Sequence, residues 1–84
     1  QVFFPNPTLD VVSYQFSTNK KEALNITIID VLGKTVAETV YQTNPGINTT
    51  RINLMPYPAG TYVIKVQNSA GEIIATERII KKTP

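Results

Sequence analysis

Apolar side chains recur at every second position of this chain, in short runs separated by turn-forming residues. Val12, Tyr14 and Phe16 alternate with Ser13, Gln15 and Ser17. Leu24, Ile26 and Ile28 alternate with Asn25, Thr27 and Ile29, and Tyr62, Ile64 and Val66 alternate against Lys65 and Gln67. A period of two sends successive side chains to opposite faces of an extended segment, so each run predicts a half-buried strand. The β-branched and aromatic residues that dominate these runs suit a pleated surface. No stretch keeps the i, i+3, i+4 apolar spacing long enough to predict a helix.

The punctuation between runs sets the element boundaries. Val2-Phe3-Phe4 opens the chain and is closed by Pro5-Asn6-Pro7, where two prolines fix φ and remove two donors. The next strand is predicted from Leu9 to Ser17. Leu9 and Val11 fall on the wrong parity for its apolar face, which predicts either a bulge near Val11-Val12 or cover on both faces there. After the polar loop Asn19 to Glu22, strands are predicted over Ala23 to Val31 and Lys34 to Gln42, joined by a hairpin in which Gly33 supplies a positive φ. Asn44-Pro45-Gly46 predicts a turn, Thr49 to Leu54 a strand, and Met55 to Ala59, with its two prolines, a loop or edge crossing. Gly60 opens a further strand, Asn68-Ser69-Ala70-Gly71 makes a second hairpin turn, and Glu72 to Lys81 is the last strand. Thr83-Pro84 is expected to fray. About seven strands at spacings of roughly 8–12 residues predict an all-β fold, a single small antiparallel β-sandwich of immunoglobulin-like type.

Size and composition narrow the possibilities. At 84 residues the chain is expected to be one domain over 1–84, and folding at this length buries roughly 60–65% of the unfolded surface. It begins at Gln1, and the expectation is a segment cut from a larger protein. Cysteine and histidine are both absent, which removes disulfides, thiolate zinc sites, imidazole ligands and imidazole bases. The net charge of +2 is a weak basic excess, clustered only at Lys20-Lys21 and Lys81-Lys82. It lacks the basic face with interleaved aromatics of a nucleic-acid binder. No apolar run approaches the roughly 20 residues of a membrane helix.

Candidate chemistry is sparse. Asp10, Glu22, Asp30, Glu38, Glu72 and Glu77 lie on different elements, and no spacing forces two of them together. An 84-residue sandwich also has little room for a substrate cleft of ~300–1,000 Å3. No calcium-loop pattern is present, and Gly33 and Gly71 stand alone, so no metal, phosphate or other cofactor site and no catalytic residue is predicted. Asn25-Ile26-Thr27 and Asn48-Thr49-Thr50 match the glycosylation pattern, which occurs often by chance. Tyr14 and Tyr62 sit at core parity, and Tyr57, between prolines, is expected to be exposed.

Three groups of residues in order carry a resemblance. They are Phe4-Pro5-Asn6-Pro7 with Leu9-Asp10-Val11; Ile28 to Lys34, reading I-I-D-V-L-G-K; and Ile52-Asn53-Leu54 with Pro58 to Val66, followed by Arg78-Ile79-Ile80-Lys81-Lys82. Together they resemble the C-terminal sorting domain of type IX (Por) secretion cargo, with its P-N-P opening, D-x-x-G-K hairpin, G-x-Y strand start and basic I-I-K ending. The likeness spans Phe4 to Lys82. One departure is that Thr83-Pro84 follow the basic residues, where family members usually finish. The resemblance implies a non-catalytic signal domain, covalently linked to its cargo and recognised in the periplasm as a folded unit by the type IX machinery, including its outer-membrane shuttle and sortase components. The machinery moves the cargo through the outer membrane. A sortase-like cysteine peptidase then commonly removes the domain, leaving the cargo secreted or attached to the cell surface.

Within that reading the last strand is expected to offer its edge for docking, and Arg78, Lys81 and Lys82 to add steering charge. Ile79 and Ile80 should face opposite sides. Gly60 and Tyr62 read as fold-makers, and Pro5, Asn6 and Pro7 as fixing how the linker enters. The competing reading is a fibronectin-III-like or carbohydrate-binding accessory module of a secreted enzyme, which an exposed planar row of aromatics would favour. A surface spacer module is a third.

Overall fold

In the computed structural model, which describes residues 1–83, the alternating runs become strands of two antiparallel sheets. The elements are β1 (Val2–Phe4), β2 (Val11–Thr18), β3 (Ala23–Ile29), β4 (Thr35–Gln42), β5 (Gly46–Asn53), β6 (Gly60–Gln67) and β7 (Ile73–Lys81). One sheet has the order β1-β2-β5 and the other β4-β3-β6-β7. This is the predicted immunoglobulin-like sandwich. Here β4 hairpins back onto β3, instead of joining the first sheet as the fourth strand does in constant-type immunoglobulin domains. Pro84, expected to fray with Thr83, lies outside the described residues.

The core is the parity set read from the sequence. Val12, Tyr14, Leu24, Ile26, Leu54, Ile64, Val66 and Ile79 are essentially inaccessible, with Phe16, Ile28, Ile52 and Tyr62 nearly so. Phe3, Tyr14 and Phe16 stack in series at 4.4 and 4.8 Å between ring centroids, and Tyr41 meets Phe16 edge-on at 6.1 Å. Such offset and edge contacts suit the quadrupoles of the rings.

The strand limits shift where side chains, not strand propensity, decide. β2 starts at Val11 and pairs with β5 without a register shift, so the bulge, one of the two alternatives at Val11-Val12, is absent; Leu9 lies outside the strand and is exposed, while Val11 is half-buried. The register shifts fall instead between Ile28 and Ile29 and between Val66 and Gln67, beside the two glycine hairpins. The hairpins share one construction. Asp30 Oδ1 accepts from the amides of Leu32 and Lys34 at 3.0 and 2.9 Å, and Gly33 N–H donates to Asp30 C=O at 3.0 Å. Asn68 Oδ1 accepts from Ala70 and Glu72 at 3.0 and 2.9 Å, and Gly71 donates to Asn68 C=O at 2.9 Å. Both glycines have φ +83°, a left-handed position that follows the turn and inserts the extra residue of a bulge. β5 begins earlier than predicted, at Gly46, because buried Asn48 organises the preceding turn. It donates to the carbonyls of Asn44 and Gly46 and accepts from Asn44 N–H and the Tyr41 hydroxyl.

Candidate functional site

The P-N-P segment lies along the outer edge of β7. Both of its X–Pro bonds, Phe4-Pro5 and Asn6-Pro7, are cis. Between the two prolines, Asn6 presents its amide to the last strand as a neighbouring peptide would. Its Nδ2 donates to Arg78 C=O at 3.0 Å, and its Oδ1 accepts from Ile80 N–H at 3.0 Å. Thr8 continues the pairing, donating its N–H to Ile80 C=O at 2.9 Å and accepting from Lys82 N–H at 2.8 Å. β7 is the last strand of its sheet, as expected, but its C-terminal half is not an open edge. Those backbone groups are occupied by residues more than 70 positions away in the chain. The expected docking of a partner strand there does not hold in this conformation, because the donors and acceptors that strand addition needs are used.

Lys81 departs further from expectation. Its side chain is buried, and its Nζ donates to the carbonyls of Leu54 at 2.8 Å, Met55 at 3.3 Å and Tyr57. These carbonyls belong to the corner where the chain crosses from β5 in one sheet to β6 in the other. An ammonium has three donors and no acceptor, so three converging carbonyls satisfy it fully. Lys81 therefore holds the corner from inside and presents no charge to a partner. Tyr62 braces the same corner. It is buried near the start of β6 and its hydroxyl donates back to Pro58 C=O. This is the tyrosine corner of immunoglobulin-like sandwiches, and it explains the G-x-Y spacing. Tyr57, expected to be exposed, is partly buried; it lies against the core with its ring 6.2 Å from that of Tyr62. Gly60 opens β6 with φ +155°, and an added Cβ there would meet nothing within 4 Å, so its backbone conformation and not crowding is what suits glycine.

The remaining candidates divide by parity. Ile79 is fully buried and Ile80 is 47% exposed, with Thr61 opposite it on β6. Arg78 and Lys82 are exposed. The structure brings the separated motifs to one end of the sandwich. Gly60 pairs with Lys81, Ile29 with Val63 and Val63 with Arg78, while Thr8 bridges to Lys81. Gln1 sits toward the opposite end, donating to Ile74 C=O and accepting from the Tyr14 hydroxyl. That far end also carries the Glu22 carboxylate, which accepts from the amide and hydroxyl of Ser69 at 3.2 and 2.9 Å. These two bonds, from the Ser69 backbone first, hold Glu22 below the usual carboxylate range. Burial pushes the Tyr14 and Tyr62 phenols up; for Tyr62, the nearby Asp30 and Tyr57 charges add to it.

Among the described residues, the acidic side chains Glu22, Asp30, Glu38 and Glu72 are each tied to different neighbours and are not brought together. A cleft of about 380 Å3 among the described residues lies at the end away from the motifs, and the carboxylate on its wall is Glu22, already engaged by Ser69. Among the described residues, no cluster of acidic side chains could hold a metal ion. Tyr14, Tyr41, Tyr57 and Tyr62 are buried or partly buried and form no exposed row. No helix of the described residues is long and apolar enough to cross a membrane.

Fold and motifs thus define a class: a small all-β sandwich whose recurring residues brace the chain's last strand. The chain matches the family described as the secretion system C-terminal sorting domain over residues 2–82. It belongs to that family, the sorting domains of type IX secretion. No curated protein and no solved structure matches it. Membership makes the chain a C-terminal sorting signal of a secreted or cell-surface protein, acting with the type IX machinery.

Proposed function

We propose that this domain is read as a folded unit and does no chemistry itself. It is carried, covalently linked, at the end of a longer cargo. The cargo crosses the inner membrane by an ordinary signal peptide and pauses in the periplasm. There the type IX machinery recognises the sandwich and moves the cargo through the outer membrane. A sortase-like peptidase then removes the domain, and the cargo is released or attached to anionic lipopolysaccharide.

The observation that carries this reading is the placement of the family's motifs. They meet at one end of a molecule 37 Å long, while Gln1 lies toward the other. A passenger joined ahead of Gln1 therefore attaches at the end away from the motifs. Several motif residues serve the fold: Asn6 occupies the β7 edge, and Lys81 and Tyr62 hold the corner. Reading a folded domain makes such residues necessary without any of them touching a receptor.

The test is a fusion of residues 1–84 to an inert, exported passenger in a host with the type IX machinery. The expected outcome is passenger in the medium or on the cell surface. Passenger that stays in the periplasm with a folded domain attached counts against the proposal. Deleting the last residues is a poor test, because it also removes the Lys81 contacts and weakens the fold that is meant to be read.

A further inference from the structure

The outer face of the β6–β7 pair gathers side chains that packing of the sandwich does not use. Register places Val63 between Ile29 and Arg78, Ile80 opposite Thr61, and Lys65 opposite Thr76. The alternate residues Tyr62, Ile64 and Ile79 point into the core, so Val63, Lys65, Arg78 and Ile80 point outward. Lys82 continues the same parity and is exposed. The result is an apolar centre of Ile29, Val63 and Ile80 beside Lys65, Arg78 and Lys82. No acidic residue of β6 or β7 shares this face; Glu38 of β4 lies on the same side of the sheet, two strands from Lys65 across Thr27. Glu77, the one carboxylate on these two strands, has the opposite parity.

We propose that this face docks an acidic, apolar-centred surface of a protein partner. The proposal rests on the sorting reading and names the surface by which that reading is carried out. Charge complementarity selects the occupant. An apolar centre with a cationic rim fits a patch whose centre is apolar and whose rim carries carboxylates. The cargo attaches toward the other end, at Gln1, and so is not held against this face. A second copy of this chain is the poorer match, because its six carboxylates are dispersed: Asp10 and Asp30 lie in loops, Glu22 and Glu72 at the far end, Glu77 on the core-facing parity of β7, and Glu38 alone on the outer face of β4. An anionic lipid surface is the weaker candidate. Each Lys or Arg adds only about fivefold to such binding, so the three cations of this face give a weak hold on a lipid surface.

The test uses the full domain as a passenger fusion in a competent host, with a photo-crosslinking residue at position 80 or, for comparison, at position 21. The double variant Arg78→Glu, Lys82→Glu is expected to lower extracellular passenger at least about tenfold, with thermal unfolding unchanged. Lys20→Glu, Lys21→Glu at the far end should export like the parent. The crosslinker at position 80 should trap a protein, losing it in the double variant, and the one at 21 should not. Equal export by the double variant and the parent overturns the docking face while leaving the sorting reading intact. Failure of the parent fusion itself overturns the sorting reading. Crosslinks to lipopolysaccharide alone, with the same domain sedimenting on anionic vesicles, overturn the protein partner in favour of a lipid surface.

Discussion

Lys81 and Lys82 are neighbours with the same charge and opposite surroundings. Strand parity turns Lys81 inward, onto the carbonyls of Leu54, Met55 and Tyr57, and leaves Lys82 in solvent. Hydrogen bonds to a charged donor contribute about 1.5–3 kcal/mol, and carbonyls left buried without a partner cost a similar amount. Lys81→Met is therefore expected to destabilise the domain by about 2–4 kcal/mol, a fall in Tm of roughly 10–25 °C at this size. Lys82→Met should stay within about 0.5 kcal/mol of the parent, as exposed substitutions do. Thermal melts of the two variants side by side check the assignment; equal Tm values would refute it. Tyr62→Phe removes one buried hydroxyl bond at the same corner and should cost about 1 kcal/mol.

The elements are fixed by polar side chains that act as pieces of backbone. Asn6 completes the edge of β7, Asn48 closes the turn into β5, and Asp30 and Asn68 build matched hairpins. The Asn6 contacts make a residue-level prediction for hydrogen exchange. In Asn6→Ala the Ile80 amide, whose acceptor is Asn6, should exchange faster. The Ile79 amide, which strand alternation turns toward β6, should not change. Uniform acceleration of both would mean that the arm supports the whole sheet and not its edge. For the hairpins, Gly33→Ala and Gly71→Ala should each lose about 1–2 kcal/mol, because a Cβ is disfavoured at φ +83° although nothing crowds it. Asparagine at either site should recover part of that loss, since it tolerates this conformation better.

At the scale of the whole molecule, the raised phenols of Tyr14 and Tyr62 tie stability to alkaline pH. The native state holds those protons more tightly than the unfolded chain. Their contribution is complete below the ordinary phenol value of about 10 and is lost as pH rises through and above it. Denaturant midpoints should fall between about pH 9.5 and 11, and the fall should be shallower in Tyr14→Phe, Tyr62→Phe. At the acid end the lowered Glu22 makes the reverse contribution, present above its ordinary value of 4.5 and lost as pH drops below it, so Glu22→Gln should flatten that limb.

Sequence by itself determined the strand count, the sandwich, nearly every core position and both glycine hairpins. Each of these follows from local rules, a two-residue repeat or a short polar side chain bonding its near neighbours. The family resemblance was legible for the same reason, since it is carried by order and spacing. Tertiary structure alone decided the fate of the site residues. Parity told that Ile79 and Ile80 face apart, but nothing in Lys-Lys told that one ammonium would meet carbonyls 24 to 27 residues back. Nothing in P-N-P told that Asn6 would occupy the edge of a strand 72 to 74 residues ahead. A polar group's role is set by whichever partner folding brings within hydrogen-bond reach, and that partner is distant in the chain.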